Sequence, residues 1–224
     1  MSEEVEMPSE IPAMTLEGVV LFPKSMVPLR IFESRYRQML ADVLVSHRMF
    51  ALLGLDEKAA CDTDAFEPPL KTASAGIVRI CNKNPDGTFH LLLQGVRRIR
   101  VVDIVREEPY RVVKVEPVET VQSQPEPETR SELTNLLEEN RELGGEATEE
   151  MLKFLNPLED DEVFVDLAAF VLCKETLRKQ RLLETLDLAK RADLLVVHLR
   201  EENERLRLLN DYMGGLSGDD FAVN

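Results

Sequence analysis

The sequence predicts an α+β protein: a β-barrel or sandwich with one early helix, followed by a C-terminal α-helical bundle. Three observations predict it. Residues 10–119 hold short apolar runs separated by turn signals, with one helical period among them. The stretch PVETVQSQPEPETRSE (117–132) carries prolines and acids but no apolar period, which reads as a linker over 120–130. From 131 to 213 apolar residues recur at helical spacing, with loose tails read at 1–9 and 214–224.

The elements follow in chain order. GVVLF (18–22) reads as a short apolar strand stopped by Pro23. MVPLRIF (26–32) resumes in extended form, because Pro28 biases the residue before it away from helix. On this reading Ile31 and Phe32 enter the core. From Glu33 the period changes: Tyr36, Met39, Leu40, Val43 and Leu44 share one helical face. Glu33 and Arg37 stand at i,i+4, the spacing of a surface ion pair. MFALLGL (49–55) reads as a buried strand and residues 56–71 as a polar loop. NPDG (84–87) is a turn, with Pro85 presetting φ and strands on either side. Gly95 interrupts a long β run, as bulges do. In GVRRIRVV the alternation sets Arg98 and Arg100 on one face, read as the solvent side. YRVVKVEPV (110–118) supplies a further strand.

In the second half RSELTNLLEENRELG is a helix stopped by Gly144-Gly145, TEEMLKFL opens on a threonine and acids and ends at Asn156-Pro157, and DDEVFVDLAAFVLC opens on acids. The third has its apolar face read at Val163, Leu167, Phe170 and Val171. KETLRKQRLLETL is a further helix. Asp187 caps the last one, where Leu188, Ala192, Leu195, Leu199, Leu206, Leu209 and Met213 step by four and three. That series suits an amphipathic helix packing on its own bundle, or a homodimer seam through residues 188–213.

Charge and motifs narrow the function. Residues 1–119 carry 15 Lys and Arg against 18 Asp and Glu, and residues 120–224 carry 12 against 24. So acidic a second half repels phosphate backbones, which argues against nucleic acid. Arg30, Arg35, Arg37 and the Arg97–Arg98–Arg100 group form the basic exceptions, with few aromatics for stacking bases. No apolar run approaches 18 residues and the N-terminus lacks a signal peptide, so a membrane is not expected and a cytoplasmic location is. Cys61, Cys81 and Cys173 lie far apart and read as reduced thiols. P-loop, H-E-x-x-H, G-x-S-x-G and G-x-G-x-x-G motifs are absent, and His47, His90 and His198 are isolated. No catalytic residue, metal site or cofactor is expected, and the chain reads as a binding protein, not an enzyme.

LFPKSMVPLRIFESRYRQML resembles the opening of the Lon substrate-binding domain, especially its stand-alone bacterial form. PDGTFHLLLQGVRRIRV, YRVVKVEPVET and KQRLLETLDLAKRADLLVVHLREENERL resemble that family's later hairpin, closing strand and C-terminal helices. The likeness runs in order from about Pro12 to Leu209. It implies a PUA-like β-barrel followed by a helical bundle, and a role in recognising unfolded or specific polypeptides, as a substrate-binding or adaptor module. Full Lon proteases continue into an ATPase and a Ser–Lys protease; the expectation here is neither, with Ser34 a small departure where relatives carry proline. The resemblance supplies no catalytic residues. The signature positions Phe22, Pro23, Pro28, Leu29, Phe32, Arg35 and Tyr36 are the candidate peptide contacts, with apolar groups near the junction of the two halves. The alternatives are an RNA-binding PUA-like protein or a homodimeric scaffold.

Overall fold

The computed structural model describes residues 7–62, 66–121, 123 and 125–216. The first half forms β1 (Glu10–Leu16), β2 (Met26–Ile31), α1 (Ser34–Leu44), β3 (Met49–Gly54), α2 (Glu57–Asp62), β4 (Thr72–Lys83), β5 (Phe89–Arg106) and β6 (Val112–Pro117). The second half forms α3 (Pro127–Glu142), α4 (Glu149–Leu155), α5 (Asp161–Leu172), α6 (Thr176–Glu184) and α7 (Leu188–Leu216). The strands make a six-stranded sheet in the order β2-β5-β4-β3-β1-β6. β1 and β3 are parallel and the other pairs antiparallel. The 18-residue β5 also pairs with β6 through its second half. The pairings of β1, β3, β4, β5 and β6 therefore close on themselves, and β2 lies outside that ring against the first half of β5.

By contacts the chain divides into two units. One holds Met1–Glu119 with Glu175–Glu184; the other holds Thr120–Lys174 with Thr185–Asn224. Small and β-branched side chains fill the inside of the strand ring: Ala13, Ala51, Ala73 and Ala75 are fully buried beside Ile11, Ile99 and Val113. Alanines on facing strands leave little room, so the ring packs tightly without aromatics. β3 is buried at every position, as its unbroken apolar run requires.

Several expectations need correction. Gly18–Phe22 is not a strand, although Val20, Leu21 and Phe22 are buried. The coil is held by side chains instead: Ser74 Oγ donates to Leu21 O at 2.6 Å, and Ser25 Oγ donates to Phe22 O at 2.7 Å. Gly95 explains the close approach, since a Cβ there would stand 2.0 Å from Phe22 O. The irregularity expected at Gly95 is present: the β4–β5 register shifts between Gly76↔Gly95 and Ala75↔Arg97. The polar loop at 56–71 contains the short helix α2, and its residues 63–65 lie outside those described. Arg98 is not on the solvent side. It is 2% exposed, and its Nε donates to Leu183 O of α6 at 3.2 Å.

In the helical unit α3 starts at Pro127, since a proline at the first helical position has no N–H to lose. Thr148 caps α4 by accepting from Met151 N, and Asp160 caps α5 by accepting from Glu162 N and Val163 N. The face of α5 is broader than the period suggested. Phe164 through Ala169 and Leu172 are buried, whereas Val171 is exposed. A helix buried nearly all round hides its own period. On α7, Leu188, Ala192, Leu195 and Leu199 are buried, but Leu209 and Met213 are exposed. Asp187 Oδ1 accepts from Lys190 N, as a cap does. Where the apolar series breaks, buried Asn203 meets Asn140 of α3: Asn140 Nδ2 donates to Asn203 Oδ1 at 2.8 Å. Buried Arg191 donates to Asp166 Oδ1 of α5 at 2.8 Å. The loose tails expected at 1–9 and 214–224 fall largely outside the described residues. Met7 is described and packs against the ring interior.

Candidate functional site

β2 alternates strictly, and the alternation separates the signature residues. Val27, Leu29 and Ile31 are buried; Met26, Pro28 and Arg30 are exposed. Phe32 follows the outward positions at 62% exposed, which corrects its expected place in the core. Phe22 and Tyr36 are buried, and Pro23 is half-buried beside the coil already described.

The register extends the exposed positions across three strands. Met26 pairs with Gln94 and Gln94 with Ile77; Pro28 pairs with Leu92 and Leu92 with Ile80; Arg30 pairs with His90 and His90 with Asn82. Directly paired residues share a face. The wing formed by β2, β5 and β4 therefore presents one surface carrying Met26, Pro28, Leu92 and Ile80, with Arg30, His90 and Asn82 along one side. Met26 is 46% and Ile80 53% exposed. The opposite face, with Val27, Leu93, Val78, Leu29 and Leu91, is core. Ile77 links the two environments: it shares the exposed face and packs on the ring interior.

β2 ends the sheet, so one of its edges is free among the described residues. Gly95 N donates to Ser25 O at 2.9 Å. The two-residue period of the ladder then turns the backbone of Met26, Pro28 and Arg30 away from β5. Pro28 has no N–H to offer at that edge, and Arg30 is charged. Both discourage another strand from adding there.

At the start of α1 the arginines serve architecture. Glu33 lies outside the helix with extended backbone (φ −66°, ψ 139°), so the i,i+4 rule does not govern it. It accepts from Arg35 Nε at 2.9 Å, and Arg37 instead donates to Ser34 Oγ at 3.1 Å. Arg35 also forks onto Glu67 at 3.0 and 2.7 Å. Its guanidinium stands 4.4 Å from the Tyr36 ring centroid and 5.3 Å from that of Phe66. The Glu67 hydrogen bond raises Arg35 above its already high ordinary pKa, and burial raises the Tyr36 hydroxyl. Buried Arg111 of the β6 approach binds the same segment, donating to Phe66 O and Glu67 O at 2.7 Å each. Two arginines thus clamp residues 66–67. Sequence reasoning missed Arg111, Met26, Leu92 and Ile80. Only the alternation in MVPLRI signalled any of them.

Among the described residues no cluster of three or more His, Cys, Asp or Glu could hold a metal ion. No helix among them is long and apolar enough to cross a membrane.

Residues 10–201 match the family model described as the ATP-dependent protease La (LON) substrate-binding domain. The chain belongs to the LON substrate-binding domain family. It is 26% identical over 212 residues to the Lon protease of Dictyoglomus thermophilum, covering 94% of this chain and 26% of that protein. It is 25% identical over 217 residues to Lon protease 2 of Myxococcus xanthus, with 96% and 26% covered. The LON-family chain thus spans about a quarter of the length of the curated relatives it matches. Its fold is similar to the crystal structure of the Lon N-terminal domain protein from Xanthomonas campestris. That likeness has a TM-score of 0.64 at 22% identity and covers 85% of this chain and 98% of that one. The N-terminal domain of Mycobacterium avium complex Lon protease is similar at a TM-score of 0.62 and 15% identity.

Proposed function

We propose that this chain is a non-catalytic, cytoplasmic polypeptide-recognition module, acting as a substrate-binding or adaptor part, with its binding surface on the exposed face of the β2–β5–β4 wing. The closed ring of β1, β3, β4, β5 and β6 is the PUA-like barrel of this reading. The carrying observation is the contiguous apolar row Pro28–Leu92–Ile80 with Met26 beside it. A folded protein gains nothing in solution from such a surface, and patches of this kind mark interaction sites. An unfolded polypeptide supplies the complement, exposed apolar side chains, and Pro28 directs it to the face and not to the free edge.

Fluorescence anisotropy with a labelled, reduced and carboxymethylated protein tests this. Serine at Met26, Phe32 and Ile80 together should weaken binding at least about tenfold, one step of ~1.4 kcal/mol. Unchanged binding by a folded triple variant rejects the wing. The homodimer is a second reading, favoured by exposed Leu208, Leu209, Tyr212 and Met213 at the end of α7. Light scattering over a concentration series checks it, a constant monomer mass being the negative result.

A further inference from the structure

The strand unit contains a cleft that the wing does not use. Its volume is about 240 Å³. That is below the ~300–1,000 Å³ of sites for drug-sized ligands, and suits a single side chain. Leu16, Val20, Leu55 and Leu70 give it an apolar floor. Glu57, Lys58, Arg181 and Glu184, all exposed, give it a charged mouth of mixed sign. Gly54 lines it as well, and a Cβ there would stand 2.9 Å from Leu70 Cδ1.

One polar group inside points to a ligand. Gln180 of α6 lines the cleft and is 6% exposed. Its Nε2 donates to Thr72 O at 2.9 Å and to Glu184 Oε1 at 2.7 Å. Those two acceptors fix the amide's orientation and leave Oε1 on the other side, 3.7 Å from the point a Gly54 Cβ would occupy. Among the described residues no donor reaches that oxygen. It is not among the buried polar atoms that lack a partner, so it opens into the cleft and can accept a hydrogen bond from whatever enters there.

We infer that this cleft is a side-chain subsite for a polypeptide: it takes one branched aliphatic side chain on the leucine floor while the main-chain N–H of the same residue donates to Gln180 Oε1. The inference rests on the polypeptide reading above but uses a different surface. It adds a preference that the wing lacks, for leucine-like residues in an extended, hydrogen-bond-ready segment.

Three probes separate the two interactions without altering the protein. N-acetyl-leucine methyl ester has the side chain and one N–H, O-acetyl-leucic acid methyl ester has the side chain alone, and N-acetyl-glycine methyl ester has the N–H alone. Each is titrated into the ¹⁵N-labelled full chain and followed by NMR. The leucine probe should shift the Gln180 side-chain amide and the Gly18 and Gly54 amides. Both other probes should bind at least about tenfold more weakly. Gly54→Ala, which crowds Leu70 into the cleft, should weaken the leucine probe. Absence of shifts at the cleft, or equal binding of the leucine probe and its N–H-free analogue, overturns the inference. Titration of the same sample with the carboxymethylated protein distinguishes the two failures. Shifts confined to the wing leave the module reading standing and the cleft rejected; no shifts anywhere reject both.

Discussion

The two faces of the β2–β5–β4 wing are built from nearly the same residue types and do opposite things. One carries Val27, Leu29, Leu91, Leu93 and Val78, all buried. The other carries Met26, Pro28, Leu92 and Ile80, exposed or half-buried. Hydrophobicity alone does not separate them; parity along the strand does. An apolar residue on an even position of β2 is available to a partner, and its neighbour on an odd position is committed to the fold.

The largest effect that tests this contrast is on the inner face. Ile31→Ala removes a side chain that is 2% exposed and should destabilise the protein by roughly 2–5 kcal/mol, measured by urea unfolding. A cost under 1 kcal/mol would mean the two faces are less different than their exposures. Gly95→Ala attacks the fold where the wing meets the Phe22 coil. The added methyl meets a backbone carbonyl, which cannot rotate away, so a loss of ~1–3 kcal/mol or more is expected. A neutral result would show the coil to be free to retreat.

These two positions also show what was legible in the sequence. Gly95 announced an irregularity because a glycine inside a β run has few other uses. The coil it protects is not legible locally, because an apolar pentapeptide looks alike as a strand or as a buried loop, and contacts from Ser74, Ser25 and Gly95 decide between them. Phe32 was misplaced for a related reason. Beside apolar Ile31 it reads as core, although the prolyl position 28 and the charged position 30 mark the even parity as outward. Arg98 was beyond reach: its acceptor, Leu183 O, lies 85 residues away, and no local pattern reports a buried arginine. The wing face itself was half visible, through Pro28 and Phe32. Its other half, Leu92 and Ile80, depends on register and on the irregularity between Val78 and Ile80 that sets Arg79 aside. The donor-less oxygen of Gln180 depends on a contact 108 residues long and left no trace in the sequence.

The outer face gives the contrasting result for stability. Phe32→Ser should change unfolding free energy by no more than about 0.5 kcal/mol, since an exposed side chain loses little on truncation. The same variant should bind unfolded polypeptide more weakly in the anisotropy assay. If Phe32→Ser instead destabilises the protein as Ile31→Ala does, the outer face is core that lacks a cover.

The smallest effect lies at the tip of the wing, in the turn between β4 and β5. Asp86 Oδ1 accepts from Thr88 N at 2.9 Å and from Thr88 Oγ1 at 2.7 Å, and its carboxylate stands 3.7 Å from Arg30. The Thr88 hydrogen bonds, with a lesser contribution from Arg30, hold its pKa below the usual carboxylate range. A depressed pKa in the folded state means that the folded state prefers the charged form. The stabilisation is therefore complete above the ordinary carboxylate value of ~3.9 and drains away as pH falls through the lower folded value. Both groups of the ion pair are well exposed, so the effect is small and weakened by salt. Its readout is local: the protection of the Thr88 amide against hydrogen exchange, taken relative to the intrinsic rate at each pH, should fall on acidification below pH ~4. Asp86→Asn keeps an acceptor for Thr88 N but has no charge to lose, so its protection should stay flat over the same window. Equal acid sensitivity in the two proteins would place the cause elsewhere in the turn, and would leave the outer face of the wing without an electrostatic contribution from its tip.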